Sequence, residues 1–229
     1  KVPSINPPGD CREIAAVIAD KFKKTGLTTQ IVQAPLGNLN TKNIPVRHNV
    51  LGTWPGSGGY PVLALVPHID TVPLAGRWKF DPYEGIIHAG KLYGRGAADS
   101  KGRLAAYLYA LSALIKAGVS LRGTAVIMAC ADEETGGEWG ARFLLDQGYV
   151  CPDMAIVEGS AYTIWQSMNG VLQMQIEVEG EASHAAAPDK GVDAVRKMNT
   201  VLNSLYAYGR RIASRRSSVP GVAPPTLVV

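Results

Sequence analysis

The sequence is poor in the features that would place it in several large classes. It has three cysteines in 229 residues, Cys11, Cys130 and Cys151, widely spaced and with no C-x-x-C pair. That excludes a disulfide framework and a thiolate zinc site, and it points to a reducing, cytoplasmic compartment. No apolar run approaches the ~18 residues of a membrane span, and the opening KVPSINPPGD lacks the apolar core of a signal peptide. The first residue is Lys1 and not Met, so the natural N-terminus is expected upstream. No G-x-S-x-G is present, and no cysteine lies near a histidine in sequence, so a serine or cysteine nucleophile is unsupported. GRGAADSKG resembles a phosphate-binding P-loop, but the pattern demands Gly before Lys, and Ser100 stands there. Charge of one sign is scarce: the net charge is +4, a weak bias toward anionic substrates and not a nucleic-acid signature. The one basic cluster, Arg210, Arg211, Arg215 and Arg216, reads as a solvated helix end. With 46% hydrophobic and 18% charged residues the chain has the core of a globular protein of one or two domains.

What is present reads as alternating strands and helices. Asp10 and Glu13 form a D-x-x-E capping arrangement ahead of Ile14, Val17, Ile18 and Phe22 at helical spacing, which predicts a helix of about four turns. Thr29 to Val32, Val46 to Trp54 and Val62 to Val66 read as strands, with the glycine-rich PGSGGYP between the last two as a hairpin turn. Leu104, Leu108, Leu111, Leu114 and Ile115 give a helix over 101–116, stopped by Gly118. TAVIMACA from Thr124 is an uninterrupted buried strand, Trp139 to Leu145 a helix, and Met154 to Val157 a second short buried strand. Apolar strands alternating with amphipathic helices predict an α/β fold whose mostly parallel sheet is covered by helices on both faces. Beyond Glu158 the pattern changes. VLQMQIEVEG alternates as a half-exposed strand, Val192 to Ile212 is a long helix, and TLVV opens another strand. A catalytic domain over residues 1–164 is therefore expected, followed by a smaller α+β unit over 165–229 that the sequence leaves half built.

Chemistry-bearing residues fall where buried strands end. In LVPHIDTVP, His68 and Asp70 lie two apart and face the same way on an extended strand. Such a pair can merely satisfy itself, or the imidazole can hold a metal while the carboxylate fixes its tautomer. Asp99 stands at the mouth of the 101–116 helix, where it could be a simple cap. Glu133 and Glu134 follow TAVIMACA, where they could complement a helix dipole. Glu158 closes AIVE. Parallel topology brings all of these to one rim of the sheet, where so many carboxylates repel one another unless cations sit among them. Divalent metal is the economical compensation, and one imidazole with several carboxylates suits zinc. Two ions bridged by a single carboxylate, about 3.5 to 4 Å apart, are the usual geometry for metal-assisted hydrolysis. Glu133 is then left over as a general base.

HIDTVP, the W-x-x-D-P-Y run from Trp78 to Tyr83, LYGRGAADSKG, DEETGG and GEASHAAAPDKGVDA, in this order and spacing, resemble the acetylornithine deacetylase, succinyl-diaminopimelate desuccinylase and carboxypeptidase G family of two-zinc hydrolases. The resemblance implies a zinc-peptidase-like catalytic domain and a ferredoxin-like lid that forms a homodimer. It implies that His68 ligates one zinc with Asp70 supporting it, Asp99 bridges both ions, Glu134 holds the second, and Glu158 completes the first. Cobalt or manganese are possible substitutes. Glu133 becomes the base and His184 the lid histidine that reaches the partner's active site and steadies the oxyanion. The implied reaction cleaves an amide next to a free carboxylate in an N-acyl amino acid. The alternatives are a dipeptidase or carboxypeptidase on short peptides, and a non-catalytic dimerising module in which Glu133 would have no reason to accompany Glu134. Pro67 stands where the family usually has Gly and Ser100 where it usually has Met, and neither is expected to touch a ligand. Family members supply a last histidine to the second zinc near their end, which 229 residues do not reach, so a fragment is expected.

Overall fold

The computed structural model describes residues 1–35, 46–159 and 169–229. The chain divides into two compact units, Lys1–Glu158 and Gly159–Val229. The expected boundary at residues 164 and 165 lies outside the described residues.

The first unit is built on a five-stranded sheet of order β1-β2-β6-β3-β7, from β1 (Thr28–Ala34), β2 (Arg47–Trp54), β3 (Val62–Val66), β6 (Thr124–Ala129) and β7 (Met154–Val157). A separate two-stranded ribbon joins β4 (Ile86–His88) to β5 (Lys91–Tyr93). In the large sheet β3 is parallel to both β6 and β7, and β2 is antiparallel to β6 and to β1. Four of the five strands therefore run the same way.

The two faces of β6 serve two cores. Ala125, Ile127 and Ala129 pack under α1 (Arg12–Thr25) and α2 (Lys101–Lys116), with Phe22, Leu104, Leu108 and Leu111. Val126, Met128 and Cys130 pack on the other face with Leu144 of α3 (Phe143–Asp146) and Val150. Alternate residues of one strand feeding two buried clusters is the reason TAVIMACA reads as continuously apolar. The helix over 101–116 has the predicted bounds. It ends in a Schellman turn, with Gly118 at φ +70°, its N–H on Ile115 O (3.0 Å) and the Val119 N–H on Leu114 O (3.1 Å).

Six local expectations are corrected. The D-x-x-E capping pair does not form: Cys11 is the N-cap of α1, and the Asp10 carboxylate instead binds Arg12 through both its backbone N–H (3.1 Å) and its guanidinium (2.6 Å). PGSGGYP is not a hairpin turn. β6 lies between β2 and β3, and the segment crosses its end, with the N–H groups of Ser57 and Gly58 on Leu121 O and Arg122 O. Gly56 passes so close to the backbone that an added Cβ would lie 1.9 Å from Gly123 O. The helix expected over Trp139 to Leu145 is a wide turn, Glu138–Arg142, leading into α3, broken at Gly140, whose missing Cβ leaves room for Ala131 O. β7 is exposed and not buried, because among the described residues it is an edge strand paired on one side only, with Met154 at 52% and Val157 at 63% exposure. In the second unit VLQMQIEVEG is extended but forms no ladder among the described residues, and TLVV forms no strand. Alternation gives a segment two faces, but it does not supply the neighbour that makes a strand. A further helix, α4 (Ala194–Ile212), is capped by Asp193, whose carboxylate accepts the Arg196 N–H at 3.0 Å.

Candidate metal centre

β3, β6 and β7 end at the same edge of the sheet, and the chain leaving each carries the candidate residues. The bridge between His68 and Cys130 continues the β3–β6 pairing one step beyond the strands, so the imidazole and the DEE turn are held in one register. His68 is 2% exposed and Asp70 fully buried. The His68 Nδ1 lies 2.9 Å from the main-chain oxygen of Asp70 and 3.4 Å from its Oδ1. A carbonyl oxygen only accepts, so Nδ1 carries a proton, and Nε2 is the nitrogen left to meet a second proton or a metal ion. Nε2 faces Asp99 Oδ1 at 3.4 Å, Glu158 Oε2 at 3.6 Å and Glu133 Oε2 at 3.9 Å.

Asp70 does more than steady the ring. Its Oδ2 accepts from Asn6 Nδ2 (2.8 Å) and the Glu134 N–H (3.2 Å), and its Oδ1 accepts the Glu133 N–H (3.3 Å). Against the desolvation of the buried carboxyl, His68, the Asn6 amide and the Glu134 N–H together hold it below the ordinary aspartate range. One carboxylate thus fixes the imidazole and the backbone of the turn Glu133–Thr135. The turn is anchored from below by Asp132, at φ +72°. Its carboxylate takes the Arg47 Nε at 2.8 Å in a buried ion pair, together with the Thr135 hydroxyl and the Trp139 N–H. Because β2 runs antiparallel to β6, its first residues reach the edge where the other strands end. Arg47 and Asn49 work from there, with Asn49 Oδ1 accepting the Ala131 N–H at 2.8 Å.

Sequence reasoning missed Asn6, Arg47, Asn49 and Asp132. A signal existed in part, since R-H-N alternation puts two hydrogen-bonding side chains on one face of an otherwise apolar strand. Ser100 is a correction. Its fully buried hydroxyl accepts the backbone N–H of His68 at 3.2 Å, so it does touch a candidate ligand.

The structure brings six of the seven predicted residues together in the first unit. His68 with Asp99 and Glu158, and His68 with Glu133 and Glu134, form two groups whose ligand-type atoms lie within 4.8 Å of one another. The seventh, His184, belongs to the second unit, where its Nδ1 accepts the Ala186 N–H at 3.1 Å, which leaves Nε2–H as the ring's donor. The donor set fits a divalent ion: one buried imidazole nitrogen with its tautomer fixed, oxygen donors on several sides, and a hydrogen-bonded carboxylate behind. The electrostatics agree. Burial works against a charge on His68, yet Asp70, Glu158 and Glu133 raise its pKa to about 9. Burial also pushes the Glu133 and Glu158 carboxyls above the ordinary glutamate range, with neighbouring acids adding to the rise and His68 opposing it. The pocket attracts cations.

This sets a pH dependence for the metal-free protein. A histidine pKa raised from 6.5 to about 9 by folding contributes stability fully below pH 6.5, and loses it as pH rises through 9. Urea denaturation of chelator-treated protein should show about 3 kcal/mol lost between pH 6 and pH 10, and the loss should vanish in His68→Gln. Equal pH profiles for the two proteins would place the imidazole outside the carboxylate ring.

An α/β sheet carrying an imidazole and a ring of carboxylates at the carboxyl ends of its strands defines a candidate divalent-cation centre. Residues 64–220 match the sequence profile of peptidase family M20/M25/M40, and the chain belongs to that family. Its fold is similar to that of an M20 family metallo-carboxypeptidase from Sulfolobus solfataricus (TM-score 0.57, 22% identity, 69% of this chain and 35% of that one). It is also similar to a tripeptidase from Staphylococcus aureus (0.56, 21%, 89% and 53%) and to human carnosine dipeptidase 1 (0.50, 24%, 59% and 29%). The chain thus spans between about a third and a half of the length of these relatives.

Proposed function

We propose that the protein is a metal-dependent hydrolase that cleaves an amide bond next to a free carboxylate, in an N-acyl amino acid or a short peptide. The observation that carries this reading is the Nε2 of a buried imidazole facing three carboxylates, with Glu133 next to Glu134 on a turn whose backbone N–H groups are both held by Asp70. His68, Asp99 and Glu158 would hold one zinc ion. Asp99 and Glu134 would hold a second, and cobalt or manganese could substitute. A bound divalent ion supplies Lewis-acid polarisation of the amide carbonyl and an acidified water.

The chain's own residues do the rest. Glu133, its carboxyl raised above the ordinary glutamate range chiefly by burial, takes the proton of the attacking water and returns it to the leaving nitrogen. Asp70 keeps the imidazole and the Glu133 turn fixed through that transfer. His184, with Nε2–H free to donate, serves the oxyanion from the partner's lid in a homodimer. The cysteine pattern favours a cytoplasmic setting.

Acyl amino acids and peptides are two substrate choices for one reaction. The sequence motifs favour N-acyl amino acids, and the peptidase relatives favour peptides. Assay of the zinc-loaded protein against N-acetyl and N-succinyl amino acids and against dipeptides should show hydrolysis of one set, with loss of activity when the α-carboxylate is amidated. Hydrolysis of neither, at stoichiometric metal content, would contradict the proposal.

A further inference from the structure

Arg103 lies on the first turn of α2, four residues after Asp99, and points at the same oxygens as the imidazole. Its Nη1 is 2.5 Å from Glu158 Oε2 and 3.4 Å from Asp99 Oδ1. Those two oxygens are the ones nearest His68 Nε2, at 3.6 and 3.4 Å. We propose that Arg103 sets the metal affinity of the His68–Asp99–Glu158 position by competing, through its guanidinium, for the carboxylate oxygens that the ion must use.

Helix energetics do not explain the residue. A cation on the first turn meets the positive end of the helix dipole, and no acidic residue stands in that turn to offset it. Asp99 and Glu158 both hold it. A guanidinium also stays charged at every working pH, so its competition is permanent, unlike that of a proton on His68. The Arg103 side chain is 32% exposed and that of Glu158 20%, so the pair sits at the rim of the pocket. From there the guanidinium can swing into water when an ion displaces it, without stranding a buried charge. Lys101, the nearest other cation on the helix, cannot substitute, because its Nζ is bonded to Val2 O at 2.9 Å.

The inference rests on the proposed metal centre, and the test separates the two. Metal-stripped protein and its Arg103→Gln, Arg103→Met and Arg103→Lys variants are titrated with Zn²⁺ against a chromophoric chelator. Gln, Met and Lys all suit a helix surface, so folding is retained. The neutral variants should bind one ion about tenfold or more tighter than the parent protein, because a full charge has been removed from its ligands. Arg103→Lys should stay within about threefold of the parent, because it keeps the charge. In thermal melts the neutral variants should be less stable than the parent without metal and should gain more on adding it. Neutral variants that bind no tighter than a metal-binding parent would overturn the inference and leave the metal centre standing. A parent protein that binds no zinc would overturn both.

Discussion

Replacing Glu133 by Gln should lower kcat by about 10²- to 10⁴-fold while leaving metal content and stability unchanged. The substitution is nearly isosteric, and the bond that holds the turn comes from the backbone N–H of residue 133 to Asp70 Oδ1, which Gln retains. What disappears is a carboxylate 3.9 Å from the imidazole nitrogen, raised above its ordinary range by burial and by Glu134, Asp70 and Asp99. Glu133 also groups with His68 and Glu134 by distance, so the experiment decides between two roles. Intact metal with lost turnover makes it the base. Loss of an ion makes it a ligand. A variant retaining more than a tenth of the activity would remove it from the mechanism.

Asp70→Ala should have the largest effect on stability, about 3 to 5 kcal/mol, and should weaken zinc binding about 10- to 100-fold. The carboxylate is completely buried. Its removal strands the Asn6 amide, the Glu133 and Glu134 N–H groups and one side of the imidazole in a space that water does not reach. Asp70→Asn refills the volume and keeps one acceptor oxygen, but its NH2 turns a donor toward the N–H of either Glu133 or Glu134, so it should recover only part of the loss. Chemical denaturation with and without zinc provides both numbers. A cost under about 1 kcal/mol with unchanged zinc affinity would show that Asp70 does not organise the centre.

The part of this architecture that was legible in the sequence is the part written in local periodicity and chain order. The 101–116 helix has a leucine stripe, a full set of turns and a glycine stop. β6 reads as a strand because both of its faces are buried. His68, Glu133 and Glu158 could be brought to one rim because each follows an apolar run that parallel topology turns the same way. What could not be read depends on partners far away in sequence. PGSGGYP looks like a hairpin turn until β6, more than 60 residues later, takes the place between β2 and β3. Met154 to Val157 is apolar enough for a core, but its edge position leaves it exposed. The buried Arg47–Asp132 pair and the Asn6–Asp70 bond join residues 85 and 64 positions apart. In sequence Asp132 is one more acid beside two glutamates. Its left-handed backbone and its guanidinium partner separate it from them.

The most direct test is an anomalous-difference map at the zinc absorption edge, from crystals of the protein grown with zinc. The account predicts a peak about 2.0 to 2.2 Å from His68 Nε2 and from one oxygen each of Asp99 and Glu158, with the Arg103 guanidinium displaced from both carboxylates. A map with no peak among these three residues, in crystals where zinc is bound elsewhere or not at all, would contradict it.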